Sequence, residues 1–268
     1  MKQATKAKNT NLPVLAATGP PVKKVPWNPW WGVVFLILVF YASQIFGGLI
    51  ISVYPWLRSW RSAQAVDWLN NSVSAQFVFV LLAETLAVYA VYLFLKHYRF
   101  GLAGIGLKRP RWRDLGYGLA AIPVYYVIYF LTVGVVSSLV HSLNVNQQQQ
   151  IGFNDVHGSA QLVMTFISLV VLPPLAEEIM VRGFLYSSFK KALPVAWAVI
   201  LTSFIFAAAH LSEGGAAGPL YIAALDTFVL SLVLIYLREK TGSLWASITL
   251  HASKNGIAFI ALFALHLK

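Results

Sequence analysis

Residues 162–189 read LVMTFISLVVLPPLAEEIMVRGFLYSSF. As a helix rising 1.5 Å per residue, this stretch exceeds the roughly 30 Å hydrocarbon core of a bilayer. Near its middle stand Glu177, Glu178 and Arg182. An ionisable group at the bilayer centre costs roughly 2.5–3.5 kcal/mol on insertion scales, so three in one span must face partners or a wet cavity. Working outward, further runs of spanning length cover residues 30–53, 76–95, 115–140, 193–211, 220–237 and 244–265. The predicted fold is an all-α, polytopic transmembrane helical bundle of about seven spans, or eight if Pro173-Pro174 splits the quoted segment.

Composition agrees. Of 268 residues, 58% are hydrophobic and 11% charged, with a mean hydropathy of +0.68, against roughly a quarter charged in a soluble domain. The absence of Cys excludes disulfide scaffolds, Cys-ligated zinc, iron–sulfur clusters and thiol nucleophiles together. Three regions are expected. Residues 1–29 form a disordered basic tail ending in an interfacial cluster of Trp27, Trp30 and Trp31; 30–159 hold the N-terminal transmembrane helices and loops; 160–268 form a helical core with the polar motifs. The run 30–53 is longer than the apolar part of a cleavable signal peptide and reads as an uncleaved signal anchor.

The formal charge of +11, from 20 Lys and Arg against 9 Asp and Glu, would suggest a nucleic-acid partner in a soluble chain. Here position decides. Fifteen cations fall on one side: Lys2, Lys6, Lys8, Lys23 and Lys24 in the tail, Lys96, Arg99, Lys108, Arg109, Arg111 and Arg113 in the loop 96–114, and Lys190, Lys191, Arg238 and Lys240. Arg58, Arg61 and Lys268 fall on the other. The positive-inside bias then puts the N-terminus in the cytoplasm and, with an odd number of spans, the C-terminus outside. An eighth span would break that pattern, so seven is preferred. The expected location is an integral membrane one, the plasma membrane if the source is bacterial. The expected partners of the cations are anionic lipid headgroups, not nucleic acid.

The remaining ionisable residues sit inside spans and carry most of the chemical information. Glu178 and Arg182 are four apart on one helix face, acid first, the favourable order for an ion pair. Glu177 is rotated about 100° from its neighbour and can point into a cavity as a general base. The bland alternative is that both acids pair with Arg182 or Lys254 and pin helices together. Phe206 and His210, and likewise His251 and Asn255, are also four apart, each pair on one face. Together the three segments supply a carboxylate, two imidazoles and an amide, enough to activate a water and stabilise an oxyanion. His210 lies late in its span and His251 early in the last one, so their convergence requires tilt, a kink at Pro173-Pro174 or a span starting later than Leu193. Three readings of Lys254 stay open: it neutralises Glu177, it neutralises Asp226, or it snorkels to the interface. Beside Glu177 it would weaken the base.

At these residues the chain resembles the CPBP (Abi) family of intramembrane proteases, which includes the type II CAAX prenyl endopeptidases. The family motifs EExxxR, FxxxH and HxxxN match in order as Glu177-Glu178-Ile-Met-Val-Arg182, Phe206-Ala-Ala-Ala-His210 and His251-Ala-Ser-Lys-Asn255. The stretch starting Gly106-Leu-Lys-Arg-Pro-Arg-Trp-Arg-Asp also resembles the family's loop before a Gly-rich helix. The resemblance covers roughly 160–265 and implies hydrolysis of a peptide bond in a membrane-associated or prenylated peptide or protein substrate. It implies catalytic roles for Glu177 and His210 on the water and for His251 and Asn255 on the oxyanion. Glu178, Arg182 and Phe206 would support them. Family members have been described as metalloproteases, and Glu177, His210 and His251 would be the zinc ligands in that case. Because HExxH is absent and zinc would leave Glu178 as the nearest base, no cofactor is the preferred reading.

Two other functions compete with the protease: a non-catalytic membrane scaffold or peptide-binding protein, and a proton-coupled transporter relaying through Glu84, Glu177, Asp226 and the histidines. No two-half repeat of the transporter kind is evident. Glu84 and Asp226 match no motif and are expected to be interhelical partners. Gln147, Gln149 and Gln150 are expected in a polar loop without function, and His141, His157 and His266 are expected to do no chemistry. The chain end is no lipidation signal, so the protein is not expected to be a prenylated substrate itself.

Overall fold

The computed structural model describes residues 24–147, 149–153 and 155–265. Most of the basic tail, His266 and Lys268 lie outside them. Every regular element among the described residues is helical. The helices are α1 (Pro29–Leu57), α2 (Ser62–Asn71), α3 (Val73–His97), α4 (Trp112–Leu139), α5 (Gly158–Ala192), α6 (Val195–Ala209, continued by a 3-10 run His210–Ala217), α7 (Tyr221–Thr241) and α8 (Trp245–Phe259, continued by a π turn Ile260–Ala264). Six are long and apolar enough to cross a membrane: α1, α3, α4, α5, α6 with its extension, and α7. The protein is an integral membrane protein. Helix α8 is the seventh span of the sequence reading; His251, Lys254 and Asn255 dilute its apolar character.

Sequence punctuation sets the ends of the first helices. Asn28 accepts from the Trp30 N–H at 3.0 Å, and Pro29 occupies the first helical turn, where its missing N–H costs nothing. Ser72 caps α3 through the Ala75 N–H. Helix α1 buries Gly32, Leu36, Val39, Ser43, Gly47, Ile51 and Pro55, and α3 buries Ala83, Ala87, Val91 and Leu95. Both sets recur about every fourth residue, so each helix shows one stripe to the other. Small residues bring the backbones close, as expected where lipid offers no hydrophobic drive: a Cβ on Gly47 would lie 3.5 Å from the Ala83 backbone nitrogen.

The proline pair does not divide α5, which runs unbroken through it. The chain widens instead, into π turns over Ile167–Val171 and Glu178–Leu185. Pro173 has no N–H to give to the carbonyl of Leu169, four residues earlier. That carbonyl accepts from Asn255 Nδ2 at 2.9 Å, which fastens α8 to the irregular turn. The eight-span alternative therefore falls.

The turn from α7 to α8 is buried. Ser243 and Leu244 are fully covered, Gly242 takes a left-handed conformation to make the turn, and the Leu244 N–H donates to Gly106 O at 2.9 Å. Arg238 donates to Ile105 O at 2.9 Å, and Arg111 donates to Thr241 O at 3.2 Å. The basic loop between α3 and α4 thus closes the α7–α8 end as well as carrying charge. Gly106 stands at φ +102°, hard against the Arg238 guanidinium, so no side chain fits there.

Trp27 locks the start of the chain to α5. It is 1% exposed, stacks on Phe184 at 5.1 Å, donates Nε1–H to Ser188 Oγ at 2.9 Å, and its carbonyl accepts from Lys191 Nζ at 2.7 Å. Trp27→Ala is expected to lower stability by about 3–5 kcal/mol, read as a fall in the thermal unfolding midpoint in detergent. An unchanged midpoint would show that this contact is dispensable.

Candidate functional site

The site grows from one turn of α5. Glu178 and Arg182 are both fully buried, and Arg182 Nη1 donates to Glu178 Oε1 at 2.9 Å. The same oxygen receives His251 Nδ1–H from α8 at 3.1 Å. The Arg182 guanidinium lies over the Phe206 ring of α6 at 4.1 Å from its centroid, a cation–π contact strengthened by desolvation. Glu178 therefore ties α5 to α8, and Arg182 ties α5 to α6.

Those contacts set the imidazoles. With Nδ1–H on Glu178, His251 turns Nε2 towards Glu177 Oε2, 3.7 Å away. Nδ1 of His210 lies 2.8 Å from Phe206 O. A carbonyl only accepts, so Nδ1 carries the hydrogen and Nε2 presents a lone pair. That Nε2 is 3.7 Å from Glu213 Oε1. Phe206 lies edge-on to both rings, with centroids 4.7 Å from His210 and 6.2 Å from His251. The two histidines converge for identifiable reasons: α6 starts at Val195 and breaks into 3-10 turns at His210, while α8 starts inside the protein beneath the 98–111 loop.

Two cavities meet here. One, of about 360 Å³, has a wall that is about half polar and includes Glu84, Glu177, His210, Glu213, His251 and Asn255. The other, of about 680 Å³, is a mostly apolar groove between α1, α5 and α6, lined by side chains such as Leu36, Phe40, Met180 and Phe204. Glu177, Phe206, His210 and Glu213 belong to both walls. Glu177 pairs with no lysine or arginine among the described residues, and its Oε2 is buried without a hydrogen-bond partner.

The other intramembrane polar groups sort differently. Lys254 Nζ is held by Asp226 Oδ2 at 2.8 Å, and Asp226 also accepts from the Tyr125 hydroxyl. Lys254 is thus engaged away from Glu177. Glu84 departs from the expected interhelical pairing, because it faces the polar cavity with no hydrogen bond or ion pair among the described residues. Gln149 and Gln150 are not idle loop residues either. Both line the cavity, and Gln149 donates to Glu213 Oε2 at 2.8 Å. His157 pairs with Asp155 at 2.7 Å on the exposed surface. Glu213 escaped the sequence reading; its position three residues after His210 was the available signal.

Among the described residues no three His, Asp or Glu side chains gather as metal ligands, and the metalloprotease label has no support in this structure.

Removing one member of the buried pair leaves the other charged in a dry setting. Arg182→Ala is expected to destabilise by about 3–5 kcal/mol, and Lys254→Ala, in a pair that is 24% and 16% exposed, by less. Thermal unfolding of the two variants measures the order; a reversed order would contradict it.

Residues 159–257 match the family model described as Type II CAAX prenyl endopeptidase Rce1-like. No curated protein and no solved structure matches the chain. The match spans the whole of α6 and α7 and all three polar motifs. Over residues 159–257 the chain is thus similar to a type II CAAX prenyl endopeptidase Rce1-like domain, consistent with the CPBP (Abi) family.

Proposed function

We propose that this protein is an intramembrane endopeptidase that hydrolyses a peptide bond near the apolar, prenylated end of a membrane-associated substrate. Rce1-like proteins are a protease family, which supports peptidase activity at the family level. The observation that carries the finer reading is that Glu177 and His210 stand in the wall shared by a polar cavity and an apolar groove. Water reaches the pair from one side, and an apolar substrate reaches it from the other.

In this reading Glu177 takes a proton from the attacking water, and His210 Nε2 accepts the second hydrogen to orient it. Glu178, neutralised by Arg182, holds His251 so that Nε2 faces the reacting groups. Protonated His251 and the free N–H of Asn255 then stabilise the tetrahedral oxygen. The water-activating role of Glu177 is favoured by its lack of a lysine or arginine partner among the described residues, and the site is read as metal-independent. The charge distribution supports a cytoplasmic N-terminus and basic loop. Processing of a prenylated C-terminus and maturation of a small peptide, as in self-immunity, are the two substrate settings.

The test uses purified full-length protein in phosphatidylethanolamine–phosphatidylglycerol vesicles and a fluorogenic farnesylated peptide ending in Cys-aliphatic-aliphatic-X. Glu177→Gln and His210→Ala are each expected to lower kcat by about 100-fold or more, while a zinc chelator leaves the wild type unchanged. Cleavage by Glu177→Gln at the wild-type rate would sink the assignment. Loss with the chelator would recast Glu177, His210 and His251 as ligands. Binding of the peptide without cleavage would make the protein a scaffold.

A further inference from the structure

Glu84 lies on a face of α3 for which pairing chemistry is missing. Its helix packs on Leu172–Glu177 of α5, and its carboxylate lines the polar cavity beside Glu177 without a hydrogen bond or ion pair among the described residues. An unpaired carboxyl in a transmembrane helix is costly to keep, and such groups mark functional sites.

Beyond His251 Nε2 and the second amide hydrogen of Asn255, the donors of the cavity are already engaged. His210 spends Nδ1–H on Phe206 O, His251 spends Nδ1–H on Glu178, Lys254 is held by Asp226, and Asn255 gives one amide hydrogen to Leu169 O. A tetrahedral intermediate needs preorganised donors aimed at its oxygen. Two carboxyl groups facing one desolvated cavity hold a single proton between them at lower cost than two charges, and the protonated member is a donor.

We infer that Glu84 is a second catalytic carboxyl of this site, which in its protonated form donates to the scissile carbonyl oxygen while Glu177 takes the proton of the attacking water. The inference rests on the peptidase reading. The water oxygen bonds to the carbonyl carbon, its proton passes to Glu177, and the C=O electron pair moves onto the oxygen, which the Glu84 proton neutralises. As the C–N bond breaks, the Glu177 proton goes to the leaving nitrogen. The oxygen then re-forms its double bond and returns its proton to Glu84. Amine and carboxyl products leave with both glutamates restored.

The titratable and charged groups facing this cavity are Glu177 from α5, His210 and Glu213 from α6, Asp226 from α7, and His251 and Lys254 from α8. Helix α1 has no charged residue, Asp67 of α2 is hydrogen-bonded to Asn71, and Arg182 is paired with Glu178.

The test measures kcat and KM against pH for Glu84→Leu, Glu84→Gln and Glu177→Gln, using the farnesylated peptide and vesicles described above. Glu84→Leu is expected to lose about 100-fold in kcat with KM within about threefold. Glu84→Gln keeps a donor in place and is expected to stay within about tenfold of wild type at neutral pH. Wild-type activity should fall as rising pH strips the Glu84 proton, and Glu84→Gln, which cannot titrate, should lose that alkaline limb. Wild-type kcat in Glu84→Leu, or a Glu84→Gln protein as inactive as Glu177→Gln, would overturn the inference and leave the peptidase reading standing. A wild type that cleaves nothing would overturn both. Should Glu84→Leu lower the unfolding midpoint, the pH profile of Glu84→Gln decides alone.

Discussion

Glu178 Oε1 is the atom on which three helices turn. It receives Arg182 from its own helix at 2.9 Å and His251 from α8 at 3.1 Å, while Arg182 lies against Phe206 of α6. Both charges are fully buried. Such a pair is weak as a source of net stability, since desolvation offsets most of the attraction, but leaving either partner alone is severely unfavourable. Alternative registers of α5, α6 and α8 would strand a charge in a dry setting, so the pair acts chiefly on which arrangement is adopted. The reacting faces of Glu177 and the histidines follow from that choice.

A second constraint comes from proline. The carbonyl that Pro173 leaves without an intrahelical donor is the one that Asn255 reaches, and the intervening π turn gives it room to do so. One amide hydrogen of Asn255 therefore serves architecture and the other remains for chemistry. The same economy holds for His251, whose Nδ1 anchors the helix contact and whose Nε2 faces the cavity. Structural and chemical demands meet in the same side chains, because an interior surrounded by lipid cannot leave polar atoms to be satisfied by bulk water.

The apolar runs and the three i,i+4 motifs are legible in the chain because helical periodicity and hydropathy are local properties. Glu178–Arg182 and Phe206–His210 are contacts within one helix, so spacing was sufficient to pair them. Glu84, Gln149 and Gln150 are different. They arrive at the cavity from α3 and from the loop before α5, and their neighbours there lie far away in sequence. Glu84 in particular looks like any polar residue awaiting a partner until α3 is seen packed against α5. For Lys254 the sequence leaves Glu177, Asp226 and snorkelling open, and the packing of α7 on α8 selects Asp226 at 2.8 Å.

By itself the sequence determined the solvent, the helical class, the approximate number of spans and the residue types gathered at the candidate site. These follow from hydropathy over a span length and from the 3.6-residue repeat, both readable from neighbours along the chain. The tertiary structure decided that α5 runs unbroken through Pro173-Pro174, that both imidazoles adjoin the Phe206 ring, and that Glu177 lines both a half-polar cavity and an apolar groove. Those outcomes depend on where one helix starts relative to another. That offset is set by buried polar atoms finding partners on different helices, a condition no local stretch of sequence contains.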